Sequence, residues 1–288
     1  MTKLHFRYIL LTALLLVPSL YGRAEEGSLT ILTWNTGRMG EFQKPAENKV
    51  LQYLLSQDAD VICLQEVDVY KDAKYLTLPD VKTTLSKLYR YSYIDFSVYN
   101  SRHQFGTMVW SKYPLIHKQS IHYKTHGNLS NRCDIVVNND TFRLINNHLE
   151  SYNLTHEDIA DAQTKRNYEG FRASLKRLLA KWERAFPLRN EQARVVRREI
   201  EDSPYPVIVV GDFNATAWSY AYSHISEGLH DAWSSTHSWW NWGGTFTNTP
   251  LPVRIDYILS SDPLIPVSCS VKQATGSDHK PVVATLKW

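Results

Sequence analysis

The chain has 288 residues, 43% of them hydrophobic and 21% charged, with 9 Trp, 17 Tyr and 9 Phe. That is enough apolar surface for one large domain or two small ones, and with no repeat or low-complexity tract it excludes a disordered chain. The formal charge of +3 belongs entirely to Lys3, Arg7 and Arg23 of the first 24 residues, which hold no acid; the remainder is neutral, which excludes a generic polyanion binder.

Lys3 and Arg7 precede an apolar run over 8–20, and Gly22-Arg23-Ala24 sets small residues at −3 and −1 of a cleavage after Ala24. This is the pattern of a secretory signal peptide. The run is short of the roughly 20 residues that a spanning helix needs, so an uncleaved anchor is the lesser alternative. Residues 1–24 are expected to be removed on export to the periplasm, cell surface or medium, and residues 25–288 to form one domain.

In chain order, 28–34 reads as a buried strand ending at Asn35, and 44–57 as a helix with Val50, Leu51, Leu54 and Leu55 on one side. An apolar strand over 60–65 ends at Glu66. Strands are expected at 91–96 and 107–110, then a turn at Lys112-Tyr113-Pro114 and a hairpin of 134–137 with 141–147. A helix is expected over 157–184, broken at Pro187, with a second running to about 200. Strands follow at 207–210, 255–260, 267–271 and 282–286. About ten strands with few helices between them argue for a mixed two-sheet α/β protein rather than a barrel of βα units. Cys63, Cys133 and Cys269 fit no zinc pattern, and their odd count allows at most one internal bridge; buried apolar packing is the expected role.

Two segments stand out by composition. Residues 165–198 gather eleven Lys and Arg against three Glu; this is either a solvated helix face or a surface for anionic substrates or membrane headgroups. Trp233, Trp239, Trp240 and Trp242 lead into Gly243-Gly244. They either pack a long loop against the fold, stack on bases or sit at a bilayer interface.

Several strands end in residues that a core does not choose: Asn35, Glu66, His148, then Asp212 and Asn214 after 207–210, and Asp278 with His279 before the last strand. Taken singly these are turn residues, helix caps or satisfied core side chains. Asp256 lies inside the apolar run 254–259, where a carboxylate needs a partner such as the His279 imidazolium. Carboxylates, amides and imidazoles at strand ends suit metal-assisted attack of water on phosphorus.

Thr33-Trp34-Asn35, Gln65-Glu66-Val67, Asn147-His148-Leu149, Gly211-Asp212-Phe213-Asn214, Arg254-Ile255-Asp256-Tyr257 and Ser277-Asp278-His279-Lys280-Pro281, in this order, resemble the endonuclease/exonuclease/phosphatase superfamily. The likeness runs from about residue 29 to 287 and includes the Ser111-Lys112-Tyr113-Pro114 turn. The superfamily contains deoxyribonucleases, abasic-site endonucleases, neutral sphingomyelinases and inositol 5-phosphatases, and this chain is similar to its exported bacterial members. The resemblance implies a four-layered α/β/β/α sandwich of two mixed sheets flanked by helices. It also implies an Mg2+- or Mn2+-dependent phosphoesterase. Glu66, Asn35 and Asp278 would hold the metal, a hard cation that prefers oxygen ligands. His279, poised by Asp256, would orient or deprotonate water. Asp212 would position that water or protonate the leaving oxygen, and Asn214 and His148 would donate to phosphoryl oxygens.

The substrate stays open. Thr36-Gly37-Arg38 lacks the acidic or amide residue typical of abasic-site enzymes, residues 254–257 lack the inositol phosphatase signature, and no cysteine pattern matches pancreatic deoxyribonucleases. Nucleic acid, phospholipid and inositol phosphate are the substrate classes. A monomer, with membrane-surface contact as one reading of the basic and Trp-rich segments, is expected. A nuclease and a sphingomyelinase-type phosphodiesterase are the competing enzyme readings, and a noncatalytic anion-binding module is the reading outside them.

Overall fold

The computed structural model describes residues 27–40, 42–125, 127–151, 168–249 and 252–288, without the side chains of 40 and 168–184. The expected signal segment lies outside the described residues, as do Lys165 and Arg166 of the basic stretch. Twelve described strands form two sheets of six. The first has the order β11(Ile265–Val271), β12(Val282–Lys287), β1(Ser28–Asn35), β2(Val61–Tyr70), β4(His103–Ser111), β3(Tyr91–Tyr99). The second has the order β5(Leu115–His122), β6(Leu129–Val137), β7(Asp140–His148), β8(Val207–Asp212), β10(Asp256–Ser260), β9(His230–Asp231).

Both sheets follow one plan. A single parallel pair, β1 with β2 in one and β7 with β8 in the other, sits third and fourth in each order, and every other pairing is antiparallel. Alternation along each strand divides its apolar residues between two cores. Ile31, Cys63 and Val109 of the first sheet meet Cys133, Leu144, Ile208 and Val210 of the second between the sheets. The opposite faces bury Leu32, Ile62 and Trp110 under α1(Lys49–Leu55) and α2(Leu78–Leu85), and Ile145, Val207 and Val209 under α3(Tyr168–Glu201) and α4(Tyr220–Ser226). This is the four-layered sandwich that the resemblance implied. The three cysteines are free and buried, as expected.

One local expectation changes, and two elements, β5 and α2, are not among those expected. The helix expected to break at Pro187 continues through it. Proline forfeits one hydrogen bond, but Ala193, Val196 and Ile200 bind the following turns to the second sheet. The strand β5 goes unmarked in the sequence because it is an edge strand whose side chains at 116–119 face solvent. The helix α2 carries a legible capping box: the Thr77 side chain accepts from the Asp80 backbone, and Asp80 accepts from the Thr77 N–H at 2.9 Å.

Near the strand ends the interface between the sheets turns polar. Gln65 Nε2 of β2 donates to Asn146 Oδ1 of β7 at 2.7 Å and to Thr33 Oγ1 at 3.0 Å. Asn131 Nδ2 of β6 donates to Thr107 Oγ1 of β4 at 2.8 Å. All five residues are buried. Orphaning one such buried partner costs about 1–3 kcal/mol, so these bonds fix how one sheet sits on the other where the candidate site begins.

Candidate active site

The carboxyl ends of the two parallel pairs face each other across the sandwich. Asn35 ends β1, Glu66 lies in β2, His148 ends β7 and Asp212 ends β8. Asp256 opens β10 in register with Asp212, and His279 enters just before β12. One end of the molecule thus collects polar groups from six segments that are far apart in sequence.

Local backbone geometry aims these side chains. Glu66 sits where the β2–β4 register shifts between Leu64 and Val67, with φ 50°. A bulge of this kind turns a strand side chain out of the alternating pattern. Asn214 also lies in the left-handed region, at φ 48°, the kind of sparsely populated conformation that functional sites retain. Gly211 has φ +119°, and a Cβ there would stand 2.1 Å from the Asn147 carbonyl oxygen. Only glycine lets β8 approach β7 closely enough to deliver Asp212 beside His148.

Asn35 bridges the two sheets. Its Nδ2 donates to Asp212 Oδ2 at 2.9 Å and to Glu66 Oε1 at 3.2 Å, while its Oδ1 accepts from Gly37 N at 3.1 Å. His148 Nε2 lies 3.4 Å from Glu66 Oε1. Burial pushes the Glu66 carboxyl up, but the hydrogen bond and charge of His148, with Asn35 and His279, outweigh it and bring the pKa down to about 2. Glu66 is therefore a carboxylate at any physiological pH. Burial lowers the pKa of His148, yet Glu66 and Asp212 raise it overall. Both ring nitrogens of His148 are buried; Nε2 has the 3.4 Å contact with Glu66, and Nδ1 makes no hydrogen bond among the described residues.

The second half of the site is an Asp–His–Asp row. His279 Nδ1 donates to Asp256 Oδ2 at 2.9 Å, which leaves Nε2 facing Asp212 Oδ2 at 3.8 Å. Ligand atoms of Asp212, Asp256 and His279 all lie within 4.8 Å of one another. Burial opposes the charge on His279, but Asp256 and Asp212 outweigh it and push the pKa up to about 10. Burial raises Asp212 above the ordinary carboxylate range, with His279 pulling it down and Asp256 pushing it up. The row is an imidazolium held between two carboxylates, of which Asp212 binds a proton more readily than an ordinary Asp.

Two expected residues are placed differently from their expected roles. Asn214 was expected to donate to phosphoryl oxygens, but its Nδ2 is engaged by Leu149 O at 3.0 Å and Asp212 Oδ2 at 3.1 Å, and its backbone N–H donates to Asp212 Oδ1 at 2.8 Å. It holds the Asp212 carboxylate rather than facing outward. Asp278 was expected at the metal, but its side chain is exposed and enters no hydrogen bond or ion pair among the described residues, while its carbonyl accepts from Thr247 N and Oγ1. Its charge still favours the His279 imidazolium. Asp278 stands next to His279 on a turn, and sequence adjacency carries no information about which of the two points inward.

The sequence reading passed over the residues that brace this row. Ser277 Oγ donates to Asn35 O at 2.8 Å and accepts from His279 N at 3.0 Å, tying β1 to the His279 turn. Trp34 Nε1 donates to His279 O at 2.9 Å. Thr245 Oγ1 accepts from Asp256 N at 3.2 Å, and the Phe246 ring lies 4.9 Å from the His279 ring. Ser277 and Trp34 belong to motifs already singled out; Thr245 and Phe246 carry no local signal, because only the tertiary fold brings them to the site.

The donors present fit a hard divalent cation. Glu66 is an ionised carboxylate whose side chain keeps 29% of its surface accessible, and the Asp212 carboxylate stands across the Asn35 amide from it; Asn35, expected at the metal, turns its Nδ2 toward both and its Oδ1 to Gly37 N. No cysteine or histidine cage of a zinc type is present among the described residues.

The model of the Endonuclease/Exonuclease/phosphatase family matches residues 32–279. No curated protein matches the chain. Among solved structures, it is similar to an endonuclease/exonuclease/phosphatase from Beutenbergia cavernae DSM 12333, with a TM-score of 0.67 and 17% identity over 90% of this chain and 71% of that one. Truncated Caenorhabditis elegans TDP2 matches at a TM-score of 0.63 and 20% identity, over 90% and 97% of the two chains. Sphingomyelinase C from Streptomyces griseocarneus matches at 0.61 and 17%, over 90% and 99%. At these identities the solved structures show the shared fold.

Proposed function

We propose that this chain, which belongs to the endonuclease/exonuclease/phosphatase family, is an exported Mg2+-dependent phosphoesterase that hydrolyses phosphodiester bonds. The family consists of metal-dependent phosphoester hydrolases, and the chain is such a hydrolase. The observation that carries the finer reading is the Asp212–His279–Asp256 row facing Glu66 across Asn35.

Each residue has a role that its surroundings support. Glu66 would hold the cation, its carboxylate fixed by Asn35 Nδ2; a bound Mg2+ would supply a Lewis acid that polarises the phosphoryl group and eases departure of the leaving oxygen. Asp212, raised by burial, accepts the proton of the attacking water, which a carboxylate of ordinary pKa does less readily. His279 stays cationic near neutrality and directs Nε2–H at a phosphoryl oxygen, where negative charge grows in the transition state. Asp256 fixes its ring and stabilises its charge, as the carboxylate of other His–Asp pairs does. His148, a buried imidazole whose charge Glu66 and Asp212 favour, donates to a second phosphoryl oxygen. Asn214 keeps the Asp212 carboxylate turned toward His279.

Export rests on the signal-like pattern of residues 1–24. Similarity to a sphingomyelinase C supports a phospholipid diester among the substrate classes, and similarity to an endonuclease/exonuclease/phosphatase keeps the nuclease reading beside it. The test is turnover of bis-p-nitrophenyl phosphate, p-nitrophenyl phosphate, DNA, RNA and sphingomyelin by the purified protein with Mg2+ or Mn2+. At least one diester is expected to be cleaved, and a chelator should stop the reaction. Ligand binding with no turnover of any of them would contradict the proposal and favour a noncatalytic anion-binding module.

A further inference from the structure

Exposed tryptophan is concentrated beside the candidate site. Trp218, Trp239, Trp240 and Trp242 are 80%, 90%, 65% and 66% exposed. Trp233, expected among them, instead anchors their loop. Its ring stacks on His237 at 3.7 Å, its Nε1 donates to Asn241 O at 2.7 Å, and a Cβ on Gly243 would stand 2.4 Å from it. The loop folds around Trp233 and turns the other three rings outward. Trp218, from a different segment, joins them: its ring lies 5.7 Å from that of Trp242, edge to face.

Both segments run directly from the site. Trp218 follows Asn214 by four residues, and Trp242 precedes Phe246, which packs on His279, by four. Both are also uncharged. In a chain that is 21% Asp, Glu, Lys and Arg, residues 213–226 and 232–253 contain none of the four. Two described cations at their borders are matched, and Lys280, whose backbone N–H donates to Thr245 O, makes no ion pair among the described residues. Arg194 lies over the Tyr220 ring at 5.4 Å and pairs with Glu191 at 2.9 Å, and Arg254 pairs with Asp231 at 2.6 Å.

Large exposed apolar side chains clustered on one surface mark an interaction site. A single-stranded nucleic acid platform pairs its aromatic rings with a cationic groove, and the two segments that carry these rings hold no Lys or Arg. Tryptophan favours the headgroup level of a bilayer, where its ring is half in apolar surroundings and its N–H is hydrated. That is also the level at which lipid phosphates lie.

We infer that Trp218, Trp239, Trp240 and Trp242 form a docking rim for a zwitterionic lipid surface, holding the mouth of the site at the plane of the lipid phosphates. The docking stands on the rim alone; its consequence for substrate choice rests on the phosphoesterase reading.

The test is flotation of the protein without residues 1–24, whose apolar run would itself bind lipid, with phosphatidylcholine vesicles in low and high salt and with tryptophan emission recorded alongside. A Trp239→Ser/Trp240→Ser variant and a Trp218→Ser/Trp242→Ser variant are compared with a His279→Ala variant. The unmodified chain should float in both salts with blue-shifted emission. Each double variant should lose about tenfold or more in partition, since interfacial binding scales with the apolar area buried. The His279→Ala protein should bind as the unmodified chain does, so a failure of catalysis and a failure of docking are read separately. These tryptophans are largely exposed, so unchanged unfolding midpoints are expected in the double variants. Should a variant not fold, salt-insensitive partition of the unmodified chain still decides. No partition, partition that needs anionic lipid and vanishes in high salt, emission changes with oligonucleotide instead of vesicles, or a rim buried in a concentration-dependent dimer would each overturn the inference.

Discussion

A His279→Ala protein is expected to hydrolyse its best diester about 10²–10⁴-fold more slowly than the unmodified chain, with the loss in kcat rather than KM. The side chain contributes most once charge has moved onto the phosphoryl oxygens, and an interaction made only in the transition state lowers kcat and kcat/KM together. The magnitude follows from the surroundings. His279 is 6% exposed, with Asp256 bonded to one nitrogen and Asp212 facing the other. In such a site an oriented cation is worth far more than in water. Asp256→Asn should lose less than His279→Ala, because the ring remains while its charge and orientation are weakened. Combined with His279→Ala it should add little, since residues acting as one unit are not additive. Steady-state kinetics of the two single variants and the double variant check this.

Asp212→Asn carries the other large effect, again about 10²–10⁴-fold in kcat. The substitution keeps the shape of the side chain and removes its capacity to accept a proton. Its bonds from Asn35, Asn214 N and Asn214 Nδ2 all end on carboxylate oxygens, so an amide at 212 also meets donors with a donor. A loss of stability accompanies the loss of activity for that reason, and thermal unfolding separates the two. Burial holds the Asp212 carboxyl above the ordinary range. The rate of the unmodified enzyme should therefore fall on the acid side at a higher pH than an ordinary aspartate would set. A variant with unchanged kcat would remove Asp212 from the proton path.

The architecture was legible because its signals are local and repeated. Apolar runs such as 61–64 and 207–210 announce central strands, since a strand buried on both faces has no polar side to show. The edge strand β5 lacks that signal, and the helix through Pro187 is decided by packing that the sequence does not display. Asp256 was legible for an energetic reason: a carboxylate within an apolar strand requires a partner, and His279 is that partner. The directions of Asn214 and Asp278 were not legible. Each depends on which backbone groups a turn leaves unsatisfied, and in the fold Leu149 O and Asp212 take the amide of Asn214. The rim was half legible. Three of its tryptophans sit in one visible cluster, whereas Trp218 meets Trp242 only through the fold.

The central claim is that Glu66 of one sheet presents a divalent cation to a phosphoester held against Asp212 of the other sheet and His279 of the turn before β12. Its most direct test is the rate of bis-p-nitrophenyl phosphate hydrolysis as a function of Mg2+ concentration, for the unmodified chain and for Glu66→Gln. The account predicts that Glu66→Gln, without the carboxylate that stays ionised down to about pH 2, needs at least about tenfold more metal for half-maximal rate, or shows no metal-dependent rate at all. Superimposable metal curves for the two proteins would contradict it.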